Sequence, residues 1–306
     1  MAELMVRGQV VAAVTPFSAK GEIMLDAFAE IIRWHIDCGA GGFLIAGDNG
    51  EGWALTPDEL GRIGRRAVAE AKGRVPIFVG TSAITAAETI QLSRIAAQAG
   101  ADGLCLQPQS YVLNGTPAEI VGRFAAVHKA VPLPIVLYNH PSRTGLNLTP
   151  DILASICDAV PVVGLKEASN DFLQLTRIIE RFHDRFAILT GPAHYIMPAL
   201  DLGAAGYIST GPELMGRDAR RILEAPRLEV AERRGLHCRI TAAFQAVQYV
   251  GTRPAGIKAA LNMLGLPAGQ TREPVLPLTP GDEANLHAEL VRLGILEASK
   301  RRRAAS

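Results

Sequence analysis

Eight short apolar runs, each followed by a segment of helical spacing, constrain this chain more than any other feature of it. The runs occupy residues 9–14, 42–46, 75–79, 103–106, 134–138, 162–166, 186–189 and 206–209. Short apolar runs between turn residues are how strands buried on both faces read. The intervening segments carry helix punctuation. Residues 25–38 place Phe28, Ile31, Ile32 and Ile36 on one side and stop at Gly39. Thr56-Pro57-Asp58-Glu59, Thr116-Pro117 and Thr149-Pro150-Asp151 each read as a capping threonine, a first-turn proline and, where present, first-turn acids.

Regular alternation of this kind implies right-handed strand–helix–strand units and a parallel sheet. Eight units in little more than two hundred residues suit a closed α/β barrel, a (β/α)8 TIM barrel. A doubly wound open sheet is the alternative. It usually carries a glycine-rich phosphate loop after its first strand, where this chain has Val14-Thr15-Pro16-Phe17. Residues 1–212 are therefore expected to form the barrel, 213–298 a helical extension packed on it, and 299–306 a basic tail. Within that tail, Lys300-Arg301-Arg302-Arg303 reads as a solvated end.

Composition excludes several functions. A net charge of +1 gives no field favouring nucleic acid or an acidic membrane surface. No apolar run approaches the ~20 residues of a membrane span. Residues 1–9 lack a basic region leading into an apolar core, so no signal peptide is expected and the cytoplasm is the expected compartment. The four cysteines (Cys38, Cys105, Cys157, Cys238) form no C-x-x-C pair, and no histidine pair has metal-ligand spacing.

In a barrel of this class, reactive groups gather at the carboxyl ends of the strands. Three strand ends stand out: Gly47-Asp48-Asn49-Gly50-Glu51-Gly52, Tyr138-Asn139-His140-Pro141-Ser142-Arg143, and Lys166. Tyr138 and Lys166 are 28 residues apart, one strand–helix unit, so they lie on adjacent strands. A lysine desolvated in a closed pocket loses its proton more easily and becomes a nucleophile toward a ketone. A neighbouring tyrosine hydroxyl can move protons while an imine forms and breaks. Arg143 offers a fork for a carboxylate. The turn at 47–52 exposes backbone N–H groups that can hold another.

These stretches resemble the dihydrodipicolinate synthase / N-acetylneuraminate lyase family of class I Schiff-base lyases. The resemblance runs from the first strand to Pro254 and Lys258. It rests on G-x-x-G-E (Gly47, Gly50, Glu51), Y-N-x-P (Tyr138, Asn139, Pro141) and G-x-K-E (Gly164, Lys166, Glu167), in order and at matching strand ends. It implies that Lys166 condenses with the ketone of a 2-oxo acid such as pyruvate and that Tyr138 is the acid/base. The substrate carboxylate would sit against Asp48 and Asn49, with no metal or organic cofactor needed.

Arg143 matches the synthase branch, where it would hold the carboxylate of aspartate semialdehyde. Two departures point elsewhere. Asp48-Asn49 stands where the synthase has Thr-Thr, and a carboxylate at 48 repels a substrate carboxylate unless protonated or turned aside. Pro108-Gln109-Ser110-Tyr111 stands where it has Pro-Tyr-Tyr, so Tyr111 would have to replace a relay tyrosine from one position on. A 2-keto-3-deoxy sugar acid aldolase, dehydratase or deaminase therefore stays open beside the synthase, as does a barrel that binds a small acid without turnover. His140, His194 and Ser209 are further candidates for substrate contact, and Glu51 is read as structural, accepting N–H bonds within its own turn. The expected partners are the 2-oxo acid and copies of this chain, in a homo-oligomer (dimer or tetramer) meeting near residues 108–113.

Overall fold

The computed structural model describes residues 6–296; the basic tail lies outside them. Eight parallel strands close a barrel in chain order, with β8 pairing back to β1. They are β1 (Gly8–Ala12), β2 (Gly42–Ile45), β3 (Ile77–Gly80), β4 (Gly103–Leu106), β5 (Ile135–Asn139), β6 (Val162–Glu167), β7 (Ala187–Thr190) and β8 (Gly206–Tyr207). Around the barrel run α1 (Leu25–Cys38), α2 (Pro57–Ala71), α3 (Ala86–Gln98), α4 (Pro117–Ala130), the single turn α5 (Pro141–Thr144), α6 (Pro150–Ala159), α7 (Phe172–Phe182) and α8 (Ile196–Asp201). The threonine starts act as expected: Thr56 and Thr116 form capping boxes with Glu59 and Glu119, and Thr149 accepts from the Ile152 N–H.

Because side chains alternate along a strand, each strand feeds two cores. Val10, Leu44, Phe78, Cys105, Val136, Tyr138, Leu189 and Ile208 fill the lumen. Val11, Phe43, Ile77, Leu104, Leu137, Leu165 and Ile188 point outward to the helices. Lys166 falls between outward Leu165 and Glu167, and Tyr138, in step with lumen-facing Val136, alternates with outward Ile135 and Leu137. That parity puts Lys166 and Tyr138 inside.

The segment beyond β8 is less purely helical than its spacing suggests. Turns of 3-10 helix lead into α9 (Arg220–Leu223), α10 (Val230–Gln248), α11 (Ala255–Met263) and α12 (Pro280–Arg292). The stretch before α12 is irregular because it serves the barrel: Gln270 pairs with Phe17 next to β1. Ala243, Val247, Ile257 and Leu261 pack with Val14 and Ile31 in a second apolar cluster.

Candidate active site

The turn after β2 is held from several sides. Gly50 and Gly52 lie so close to the backbone of Ala13 and Ala46 that a Cβ at either would collide with it. Ala46 and Glu51 take left-handed φ values of 53° and 50°, a local cost that neighbouring contacts must offset. Thr15 Oγ1 donates to the Gly50 carbonyl at 2.7 Å. Glu51 is fully buried, and its side-chain partners lie far from its own turn rather than within it as expected. Lys258 Nζ, on α11, donates to Oε1, and the Arg272 backbone N–H donates to Oε2 at 2.8 Å. Arg272 extends the tie through bonds to the Gly21 and Ala54 carbonyls and to Glu59.

At β5 and β6, the residues beside Tyr138 and Lys166 hold the strand ends from behind. Asn139 Nδ2 donates to Glu167 Oε2 at 2.8 Å, and Asn139 Oδ1 accepts from the Leu148 N–H at 2.9 Å. Glu167 Oε1 also accepts from the Ser169 N–H at 2.7 Å.

Tyr138 and Lys166 are register partners on β5 and β6. Lys166 is 7% exposed, and its Nζ stands 4.0 Å from the centre of the Tyr138 ring. Burial draws the ammonium's pKa down, partly offset by the Asp48 carboxylate. The Tyr138 hydroxyl donates to Asp48 Oδ2 at 3.3 Å and lies 3.2 Å from His140 Nδ1. A phenol has one proton to donate, so with it on Asp48 the His140 Nδ1 carries the N–H in this arrangement. His140 Nδ1 and Arg143 Nε also lie 3.5 and 3.4 Å from Asp48 Oδ2. Burial works to raise the Asp48 carboxyl, but the His140 hydrogen bond and the Lys166 and Arg143 charges outweigh it and hold Asp48 ionised. Burial pushes the Tyr138 phenol well above its ordinary value, reinforced by the Asp48 charge.

Asp48, Asn49, Tyr138, His140 and Lys166 therefore surround one cavity of about 190 Å³. A second, of about 290 Å³, shares Asp48 and Tyr138 and reaches Cys105, Ser110 and Arg143. Asn49 is buried, its amide donating to Thr210 Oγ1 at 2.9 Å and weakly to the Ala12 carbonyl. His194 lines the first cavity.

Two expected contacts are not brought to the site. Within one chain Tyr111 takes a left-handed φ of 70° and is 86% exposed, away from Lys166. Ser209 follows the parity of Tyr207 and is buried behind the barrel wall; Ile208 and Thr210 take the inward positions. The reading of the sequence missed the wall supplied by Phe244, Gln248 and Tyr249 around the end of α10 and by Arg253 before α11. Nothing in the spacing of a peripheral helix announces which residues overhang a distant strand end.

Glu213, just past β8, is also buried, and burial pushes its carboxyl up to about 8. A folded-state value above the unfolded one means that its contribution is fully present below the unfolded value and is lost as pH rises toward 8. Chemical denaturation across that window should show the parent losing stability with rising pH and Glu213→Gln losing less; equal slopes would contradict the assignment.

A (β/α)8 barrel with a buried lysine, a tyrosine and a hydrogen-bonded carboxylate at the carboxyl ends of its strands defines the class: a small-molecule barrel with its chemistry in the lumen. Comparison with known proteins makes this specific. Residues 5–293 match the model of the Dihydrodipicolinate synthetase family, and the chain belongs to that family. The 4-hydroxy-tetrahydrodipicolinate synthase of Maridesulfovibrio salexigens is 36% identical over 292 residues, covering 95% of this chain and 99% of that protein. The protein of the same name from a Synechococcus strain is 35% identical, covering 96% of each chain. Among solved structures, dihydrodipicolinate synthase from Aquifex aeolicus superposes with a TM-score of 0.88 at 28% identity, covering 95% of this chain and 99% of that one. YagE, a prophage protein of the family from E. coli K12 in complex with pyruvate, gives 0.88 at 30% identity, covering 94% and 99%.

Proposed function

We propose that this protein forms a Schiff base between Lys166 and pyruvate or a related 2-oxo acid, and uses it to make or break a carbon–carbon or carbon–oxygen bond. The observation that carries the reading is the buried Lys166 Nζ over the Tyr138 ring, beside a hydroxyl bonded to Asp48. Desolvation keeps a larger share of the amine neutral, the form that attacks a ketone. Attack at C2 gives a carbinolamine, and loss of water, with a proton delivered to the departing hydroxyl, gives the iminium. The iminium accepts the electron pair left when a C3 proton or a C3–C4 bond is removed. Tyr138 is the group placed to carry protons, with Asp48 and His140 fixing its hydroxyl.

Two relatives described above are named as 4-hydroxy-tetrahydrodipicolinate synthases, which supports condensation of pyruvate with an aldehyde. The state of Asp48 favours the other branch, an aldolase or dehydratase acting on a hydroxylated 2-oxo acid. Its ionised carboxylate already faces Arg143 and is suited to a substrate hydroxyl. The test is incubation with pyruvate and cyanoborohydride followed by intact mass and peptide mapping. A reduced adduct on Lys166 is the expected result; no adduct across a panel of 2-oxo acids would sink the reading.

Two predictions follow from the same geometry. Tyr138→Phe should lower turnover by about 10²- to 10⁴-fold while Lys166 remains trappable, since only the proton carrier is removed. Asp48→Asn removes a negative charge that favours the Lys166 ammonium. Its amine should therefore lose its proton more readily, moving the acidic limb of the trapping-rate profile to lower pH; an upward move would contradict the electrostatics.

We further propose that residues 1–212 are the catalytic barrel, that 213–298 cover it, and that the protein works in the cytoplasm as a homo-oligomer. Exposed Tyr111, Val112 and Leu113 form an apolar edge that supports the last point. Among the described residues no helix is long and apolar enough to cross a membrane. Sedimentation velocity should give a dimer or tetramer, shifted toward monomer by Leu113→Asp.

A further inference from the structure

Two arginines face the reaction space, and they differ in what they face. Arg143 already has the Asp48 carboxylate 3.4 Å away. Arg253 lines the cavity that Lys166 opens into, and among the described residues no carboxylate lies within ion-pair distance of it. Its neighbour is neutral: the Gln248 amide oxygen, in the orientation its donors require, lies 3.0 Å from Nε and 2.6 and 3.2 Å from the two terminal nitrogens. Arg253 is half-buried. Burial lowers its pKa and Arg143 adds to that effect, so the protein environment works against this cation more than it supports it. A partly desolvated guanidinium at a cavity wall, oriented by an amide and not neutralised, is arranged for a carboxylate or phosphate arriving from outside.

We propose that Arg253 is a specificity-determining residue that binds a second anionic group, borne on the end of the substrate remote from the ketone. The substrate class is thus a 2-oxo acid with a distal carboxylate or phosphate, or a pyruvate adduct of an acceptor carrying one. The inference rests on imine formation at Lys166 and adds which end of the site reads the second charge. Arg143, paired with Asp48, positions that carboxylate against Tyr138 and His140.

The test uses imine trapping itself. The full-length protein is titrated with 2-oxoglutarate and 2-oxoadipate, and with the singly charged 2-oxopentanoate and 2-oxohexanoate, in cyanoborohydride; the fraction trapped on Lys166 gives a half-saturating concentration for each. The parent should take at least one diacid about ten- to a hundredfold more tightly than the monoacid of equal length, the worth of one charge-assisted contact. Arg253→Gln should erase that ratio, and Arg253→Lys, which keeps the charge but not the fork, should retain part of it. Melting temperatures of both variants show whether each is folded. A parent without diacid preference, or a preference surviving in folded Arg253→Gln, overturns the proposal while leaving the Schiff-base reading intact. If pyruvate and every other 2-oxo acid fail to trap, the Schiff-base reading falls and this inference with it.

Discussion

Lys166→Ala should abolish reductive trapping by any 2-oxo acid and lower turnover by about 10⁴-fold or more, the scale seen when a covalent nucleophile is removed. Lys166 Nζ lies over the Tyr138 ring, and the buried residues of the lumen core (among them Tyr138, Cys105 and Leu189) offer no second amine. Among the described residues the other buried lysine is Lys258, which is bonded to Glu51 and to the Gln270 carbonyl and stands over the Phe17 ring. It cannot substitute without breaking those contacts. The variant should fold, because it removes a partly desolvated cation. Losing that cation also lets the Asp48 carboxyl rise toward its ordinary value. Lys166→Arg, which keeps a charge without a nucleophilic amine, should be equally untrappable. An adduct persisting in Lys166→Ala and mapping to another lysine would place the chemistry elsewhere.

The largest effect on stability is expected at Lys258→Met. The Glu51–Lys258 pair is almost wholly enclosed, with side-chain exposures of 0% and 2%. Burial draws the Lys258 pKa down to about 8 even with Glu51 beside it, so the pair already stands near the limit of what the interior holds charged. Removing the lysine leaves a buried carboxylate with one backbone N–H from Arg272. Breaking a buried pair from one side costs about 3–5 kcal/mol, more than removing both charges together. Urea denaturation should show that loss in Lys258→Met and a smaller one in the Glu51→Gln/Lys258→Met double variant. If the double variant is as unstable as the sum of the singles, the two residues act independently and the tie is misassigned.

The barrel was legible because its signal is repeated. Eight apolar runs separated by capped helices admit few topologies, and several boundaries, such as 25–38 and 103–106, agree with the structure to the residue. Lys166 and Tyr138 were legible because strand alternation fixes their facing once the strand is placed. Ser209 shows the limit of the same rule. An error of one position in parity turns a lumen residue into a buried one, and β8 is only two residues long, too short for its pattern to declare a face. Tyr111 sits in a loop where no periodicity operates. Arg253, Gln248 and Phe244 come from chain wound around the outside, and their arrival at the site depends on packing angles that local sequence does not encode. The partners of Glu51 lie 207 and 221 residues away, beyond any local reading.

That long-range tie bears on how the protein is made. A nascent chain that has emerged through Tyr207 possesses every strand of the barrel and both Tyr138 and Lys166. It still lacks Lys258 and Arg272, which hold the glycine turn carrying Asp48 and Asn49, and Arg253, which completes the chamber wall. Maturation of the active centre therefore waits on translation of the last part of the chain. A ribosome-stalled product ending just after β8 should be a barrel whose Asp48 turn is unclamped, and supplying residues 213–306 as a separate polypeptide is the complementation that would restore it.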